Sequence, residues 1–174
     1  ATYDKVHLVP FGEYLPLREY LAKFNFLKIL TNEQGLSKGK SYDPIDTPLG
    51  KARILICYEI IFSNEIMRAK SRPNFIVNLS NDAWFDDNSG PYQHFSNAKF
   101  RSVENGLPVI RSSNKGISAI IDPYGRVIKK LPLNEEGSIY SRLPVEISET
   151  IYSRYENFIL LALLFLYFLC YRKI

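Results

Sequence analysis

Apolar and polar positions change period several times along the chain, and each change marks an element. Residues 3–9 are rich in β-formers and stop at Pro10, which reads as a strand running into a loop marked by Gly12 and Pro16. Over residues 17–30, Leu17, Tyr20, Leu21, Phe24, Leu27, Ile29 and Leu30 recur roughly at helical spacing. Residues 32–47 are polar and carry Gly, Ser and Lys, a loop composition. Short, largely apolar runs at 52–56 and 75–79 predict buried strands, and the segment 60–70 between them predicts a helix. Residues 92–105 predict another helix, stopped by Gly106. Three further strands are expected at 109–112, 117–122 and 126–131, the last two joined by the turn Asp122-Pro123-Tyr124-Gly125. Strands alternating with helices, then a hairpin, predict an α/β domain over residues 1–150.

The end of the chain differs in kind. Residues 157–171 carry no charge and consist almost entirely of Phe, Leu, Ile, Ala and Tyr; Glu156 precedes them and Arg172 and Lys173 follow. A spanning helix wants about 20 apolar residues, so the run is short unless Tyr152 and Tyr155 extend it as interfacial anchors and the basic pair snorkels. A buried C-terminal core helix is the other reading. The uniformly apolar surface and basic end favour a transmembrane helix over 151–174, with a cytoplasmic C-terminus and the preceding domain outside the inner membrane.

Composition narrows the picture. With 46% hydrophobic and 23% charged residues among 174, the chain is globular. Its +4 charge is scattered, so nucleic acid is not an expected partner, and an anionic membrane surface fits at least as well. Two cysteines, Cys57 and Cys170, lie in unlike surroundings and indicate no disulfide framework. His7 and His94 belong to no Cys/His cluster, so no metal site is expected, and no cofactor either. Met67 is the only methionine, and residues 3–13 already read as the middle of a functional segment, so we expect a fragment.

Candidate chemistry begins at Ile56-Cys57-Tyr58-Glu59. A cysteine leaving a buried strand and entering a helix gains thiolate character from free N–H groups, and those around Tyr58 could stabilise an oxyanion. A buried structural cysteine is the alternative. Lys5, between Asp4 and Val6 on the expected first strand, is either an exposed strand lysine or a fixed cation aimed into a site. Polar residues crowd the end of the 75–79 strand at Asn78, Ser80, Asn81 and Asp82, where α/β sites usually lie, and the lone Trp84 follows. Arg101 and Glu104 share a helix face, and Arg111 opens the polar connection 111–116. His94 could form a Cys-His pair, but no Asn or Asp is marked to orient it.

In this order the stretches 3–16, 56–59, 80–85, 90–94, 101–104, 111–118 and 122–125 resemble the apolipoprotein N-acyltransferases, membrane members of the nitrilase superfamily. The resemblance covers essentially the whole chain. It implies the C-terminal part of a nitrilase-like α-β-β-α sandwich followed by a transmembrane helix. It implies that Cys57 is the nucleophile and Lys5 the triad lysine, with Glu13, Tyr58, Glu59, Trp84 and Glu104 at supporting positions. The reaction implied is transfer of a phospholipid acyl chain, through a Cys57 thioester, to the N-terminal amine of a diacylated apolipoprotein at the inner membrane. In this family the general-base Glu lies upstream of the lysine segment, as do several membrane helices. Only four residues precede Lys5, so we expect the N-terminal part of the same protein to be a missing partner and the chain alone to be inactive. The apolar arm 15–30 either covers the site and dips into the membrane or packs on the core. Two other readings are a nitrilase-like amidase or carbamoylase of small soluble substrates, and an inactive remnant or half of a split protein.

Overall fold

The computed structural model describes residues 1–17, 35–85 and 88–171. The expected helix at 17–30 and the arm 15–30 lie almost wholly outside the described residues, as do Arg172 and Lys173. The chain forms two compact units, Ala1–Ser41 and Tyr42–Ile174.

The first unit contradicts one sequence expectation. Residues 3–9 form no strand; an isolated bridge joins Pro10 to Tyr14. The Val9 carbonyl is taken up locally by the N–H groups of Gly12, Glu13 and Tyr14, at 3.3, 2.8 and 3.4 Å. Phe11 turns left-handed at φ 61°. With Pro10 lacking an N–H, the segment satisfies its backbone by coiling on itself rather than by a ladder.

The second unit is built on a six-stranded sheet in chain order: β1 (Ile45–Thr47), β2 (Gly50–Ile56), β3 (Phe75–Asn81), β4 (Val109–Asn114), β5 (Ser118–Ile121) and β6 (Val127–Leu131). β2, β3 and β4 are parallel, and the outer pairings are antiparallel. The strands expected from apolar runs are present within a few residues of the expected bounds; β1 falls at the end of the expected loop. The Asp122 turn closes as its residues predict, with Gly125 N–H donating to the Asp122 carbonyl at 2.9 Å and Gly125 at φ 78°.

Register explains what the sheet buries. Arg53, Ile76, Val109 and Ile121 lie side by side across β2 to β5, and Leu55, Asn78, Arg111 and Ala119 form the next row on the same face. All eight are buried. The helix α1 (Gly90–Asn105) carries His94, Ala98, Arg101 and Asn105 as a buried stripe at helical spacing. Leu55, Ile60, Ile66, Ile76, Ala98, Leu107, Val109, Ala119 and Ile121 make the core; each large aliphatic contributes about 2 kcal/mol of burial. Pro91 sits in the first turn of α1, and Gly106 ends it left-handed at φ 64°, where a β-carbon would be strained.

The helix expected at 60–70 is also corrected. Two 3₁₀ segments, Cys57–Ile61 and Ser63–Glu65, are separated by Phe62 in extended conformation (φ −86°, ψ 100°). β-branched Ile60 and Ile61 disfavour a continuing helix. The C-terminal stretch is two helices, α2 (Ile151–Tyr155) and α3 (Phe158–Tyr171), broken at Glu156 (φ 45°, ψ −131°). At 14 residues α3 is about 21 Å long. Among the described residues, no helix is long and apolar enough to cross a membrane.

Candidate active site

Parallel pairing brings the C-terminal ends of β2, β3 and β4 to one edge of the sheet, and polar side chains collect there. Cys57 is the first residue past β2, partly buried, and its backbone is left-handed at φ 53°. That conformation costs a non-glycine residue about 1–2 kcal/mol and persists only where neighbours enforce it. On one side, the Ile56 N–H donates to Glu59 Oε2 at 2.7 Å. On the other, the Cys57 carbonyl faces two buried side chains: His94 Nε2 at 3.2 Å and, more distantly, Asn78 Nδ2 at 3.5 Å. The helix that follows Cys57 is only a five-residue 3₁₀ turn, so helix-dipole stabilisation of a thiolate is weaker than the sequence led us to expect.

Behind Cys57 lies a buried polar network. Asp82, one residue past β3, receives Arg111 Nη2 on Oδ2 at 2.6 Å and Ser80 Oγ on Oδ1 at 2.7 Å. Its Oδ1 also lies 2.8 Å from His94 Nδ1. Arg111 Nη1 bonds the Asn78 side-chain oxygen, and its Nε donates to the Ile117 carbonyl at 3.1 Å. Burial pushes the Asp82 carboxyl up, but the His94 contact, the Arg111 charge and the Ser80 hydroxyl outweigh it and hold it at about 2. Burial lowers Arg111 from the usual guanidinium value; the Asp82 charge counters this, and so, more weakly, does a Cys57 thiolate. The guanidinium is therefore within electrostatic reach of the cysteine. Gly116 closes over the pair, where a β-carbon would strike the Asp82 carboxylate and the Ser113 hydroxyl.

The other sequence candidates are placed as follows. Lys5 Nζ grips both Glu13 oxygens, at 2.6 and 2.7 Å, and Glu13 Oε2 also accepts the Val9 N–H at 2.8 Å. Lys5 is thus an oriented, largely buried cation in a coil, not a strand residue. Tyr58 packs edge-on to Phe62, with ring centroids 5.5 Å apart. Glu59 is buried, whereas Trp84 is 84% exposed. Glu104 pairs with Arg101 at 3.0 Å, ten residues along α1 from His94 and so about 15 Å away along the axis. Burial raises its carboxyl and the Arg101 charge only partly opposes this, the signature of an ion pair held in the domain body. Among the described residues, no group of three His, Cys, Asp or Glu could hold a metal ion.

Asn78, Asp82, His94 and Arg111 were not selected as site residues from sequence, although each was visible. The available signal was a polar residue at a core position of an apolar strand: Asn78 within 75–79, and Arg111 beside Val109 and Ile110.

Comparison with known proteins is consistent with this geometry. The carbon-nitrogen hydrolase family model matches residues 1–152. The apolipoprotein N-acyltransferase of Rhodopseudomonas palustris is 43% identical over 155 residues, which are 88% of this chain and 29% of that protein. That of Allorhizobium ampelinum is 51% identical over 138 residues, 79% of this chain and 26% of the other. That of Rickettsia prowazekii is 43% identical over an alignment of 175 positions that covers 97% of this chain and 34% of the other. The chain thus spans about a third or less of these relatives. In fold, it is similar to a carbon-nitrogen hydrolase from Helicobacter pylori, with a TM-score of 0.51 at 16% identity over 59% of this chain and 43% of that one. A CN-hydrolase superfamily protein from Xanthomonas campestris gives 0.50 at 19% identity, over 77% and 49% of the two chains.

Proposed function

The chain belongs to the carbon-nitrogen hydrolase family, and on that premise we propose that it carries the nucleophile of a membrane acyltransferase, with Cys57 forming a thioester. The observation that carries this reading is the left-handed Cys57 at the ends of the parallel strands, its main chain held by buried side chains. In the first half-reaction the Cys57 thiolate attacks the ester carbonyl of a phospholipid, and the lysophospholipid oxygen leaves and takes up a proton. In the second, the free amine of a diacylglyceryl-cysteine attacks the thioester; the amine loses a proton and Cys57 regains one.

Roles follow from chemistry. The family resemblance, not a contact in the structure, gives Lys5 the role of cation for the tetrahedral oxyanion; within its own unit Glu13 holds it through both carboxylate oxygens. Glu59 holds the peptide before Cys57. Tyr58 and the exposed Trp84 offer aromatic surface to an acyl chain. Glu104 serves the domain body through Arg101. The general base is supplied by another part of the whole protein.

The apolar helix α3 is exposed on every side, which water does not favour, so it sits in a bilayer. Its length of about 21 Å is short of a hydrocarbon core of about 30 Å, and Tyr152 and Tyr155 extend the span at one interface. The basic end lies in the cytoplasm and the catalytic domain in the periplasm. An amidase of small soluble substrates would have no use for this helix.

The test is a chimera in which these 174 residues replace the matching segment of a full-length relative. Transfer from phospholipid to a diacylated lipopeptide should occur and be abolished by Cys57→Ala, while Cys170→Ala remains active. Activity retained in Cys57→Ala would overturn the reading.

A further inference from the structure

A buried Asp-His pair beside a nucleophilic cysteine suggests a general base, but the geometry here points elsewhere. His94 Nδ1 meets Asp82 Oδ1 at 2.8 Å, and the opposite ring nitrogen, Nε2, lies 3.2 Å from the main-chain carbonyl of Cys57. A carbonyl only accepts, and so does the Asp82 carboxylate, so each contact takes a hydrogen from its ring nitrogen; Arg111 Nη2, 3.2 Å from Nδ1, is spent on Asp82 Oδ2, and Nε2 is spent on the backbone. We infer that Asp82 and His94 are positioning residues that hold Cys57 left-handed by gripping its carbonyl, and that they take no proton from its thiol. The inference rests on Cys57 being the nucleophile.

Several features support it. The ring cannot drift: Asp82 is fixed on its other oxygen by Arg111 at 2.6 Å, and Phe85 packs edge-on to His94 with centroids 5.5 Å apart. His94 and Asp82 are 3% and 1% exposed, so water does not compete for these contacts. Asn78, in the same network, donates to the Leu55 carbonyl at 3.0 Å and reaches toward the Cys57 carbonyl. The carbonyls of Leu55 and Cys57, on either side of the turn out of β2, are thus tied to one rigid cluster. Such enforcement is what an otherwise unfavourable φ of 53° requires.

Side chains of different reach separate the roles. His94→Gln keeps an N–H near the position of Nε2; His94→Asn still faces Asp82 but falls short of the Cys57 carbonyl; His94→Leu provides neither contact. The assay is the rate of iodoacetamide capture at Cys57 in the 174-residue chain in mild detergent, read by peptide mass spectrometry, with melting followed by circular dichroism. Measurements are made well below each variant's melting point, where a purely structural role leaves the rate unchanged.

We expect His94→Asn and His94→Leu to react about tenfold more slowly, as loss of roughly one to two hydrogen bonds implies. His94→Gln should stay within about threefold of the parent. If His94→Leu does not fold, His94→Asn against His94→Gln decides alone. Equal slowing in Gln and Asn variants that are folded would make His94 an acid–base group and overturn the inference, as would an unchanged rate in His94→Asn. Capture at Cys57 no faster in the folded parent chain than in the same chain unfolded in urea would instead remove the nucleophile, and this inference with it.

Discussion

Replacing Asp82 with Asn should reveal how much the buried network contributes to stability. The carboxylate is buried and ionised, with Arg111 at 2.6 Å and His94 at 2.8 Å. The shift from an ordinary 3.8 to about 2 corresponds to roughly 2 kcal/mol of preference for the charged form in the folded state, at about 1.36 kcal/mol per tenfold. Asn forfeits that term and leaves the Arg111 guanidinium buried against a neutral group; breaking such a pair costs about 3–5 kcal/mol where nothing replaces the partner. Asn is nearly isosteric and its oxygen still accepts one bond, so the expected loss lies between these, about 3 kcal/mol at pH 7. For a chain of 174 residues that is a fall in Tm of roughly 6–12 °C. The sign with pH follows from the depressed folded value. The contribution is fully present above about 4 and is lost as pH falls through about 2, so the gap between parent and variant should narrow over that window. Thermal unfolding in mild detergent between pH 2 and pH 7 measures it. A gap under about 1 kcal/mol at pH 7, or one that does not change with pH, would refute the role assigned to the charge.

Three further outcomes follow. Cys57→Gly should melt above Cys57→Ala by about 1 kcal/mol, because relief of left-handed strain of about 1–2 kcal/mol exceeds the extra chain entropy of glycine of about 0.5–1; equal melting would show that the turn is unstrained. Gly116→Ala should destabilise by about 1–3 kcal/mol and slow capture of Cys57, since its methyl meets Asp82 and Ser113, whereas Gly137→Ala, with only Leu131 at 3.5 Å, should be nearly neutral in melting. Expressed in bacteria, the chain should stay in the membrane fraction after a carbonate wash; release into solution would assign α3 to contacts with protein.

Fold and site differed in how legible they were. The runs at 52–56 and 75–79 were readable as strands because parallel strands, whose two faces are both usually covered, are apolar in most positions. Helix α1 was bounded by Pro91 and Gly106, each with a steric reason. The first segment misled because β-propensity says nothing about where the Val9 carbonyl goes, and a turn took it. Residues 60–70 misled because an apolar stripe suits a 3₁₀ segment anchored by Ile60 and Ile66 as well as an α-helix. Cys57 and Lys5 could be singled out through motifs. The network behind Cys57 could not, because its pairs His94–Asp82, Arg111–Asp82 and Arg111–Asn78 are 12, 29 and 33 positions apart in sequence and only the β3–β4 register brings Asn78 and Arg111 together. The left-handed turn at Cys57 has no residue signature, since it is imposed by neighbours on a residue that does not favour it.

We expect Cys57 to become acylated. The chimera described above, incubated with phospholipid and no acceptor, should show one added acyl chain by intact mass, mapped to Cys57, removed by hydroxylamine and absent from Cys57→Ala. An acyl group on any other residue, or transfer to lipopeptide with no adduct ever accumulating on Cys57 under single-turnover conditions, would contradict it.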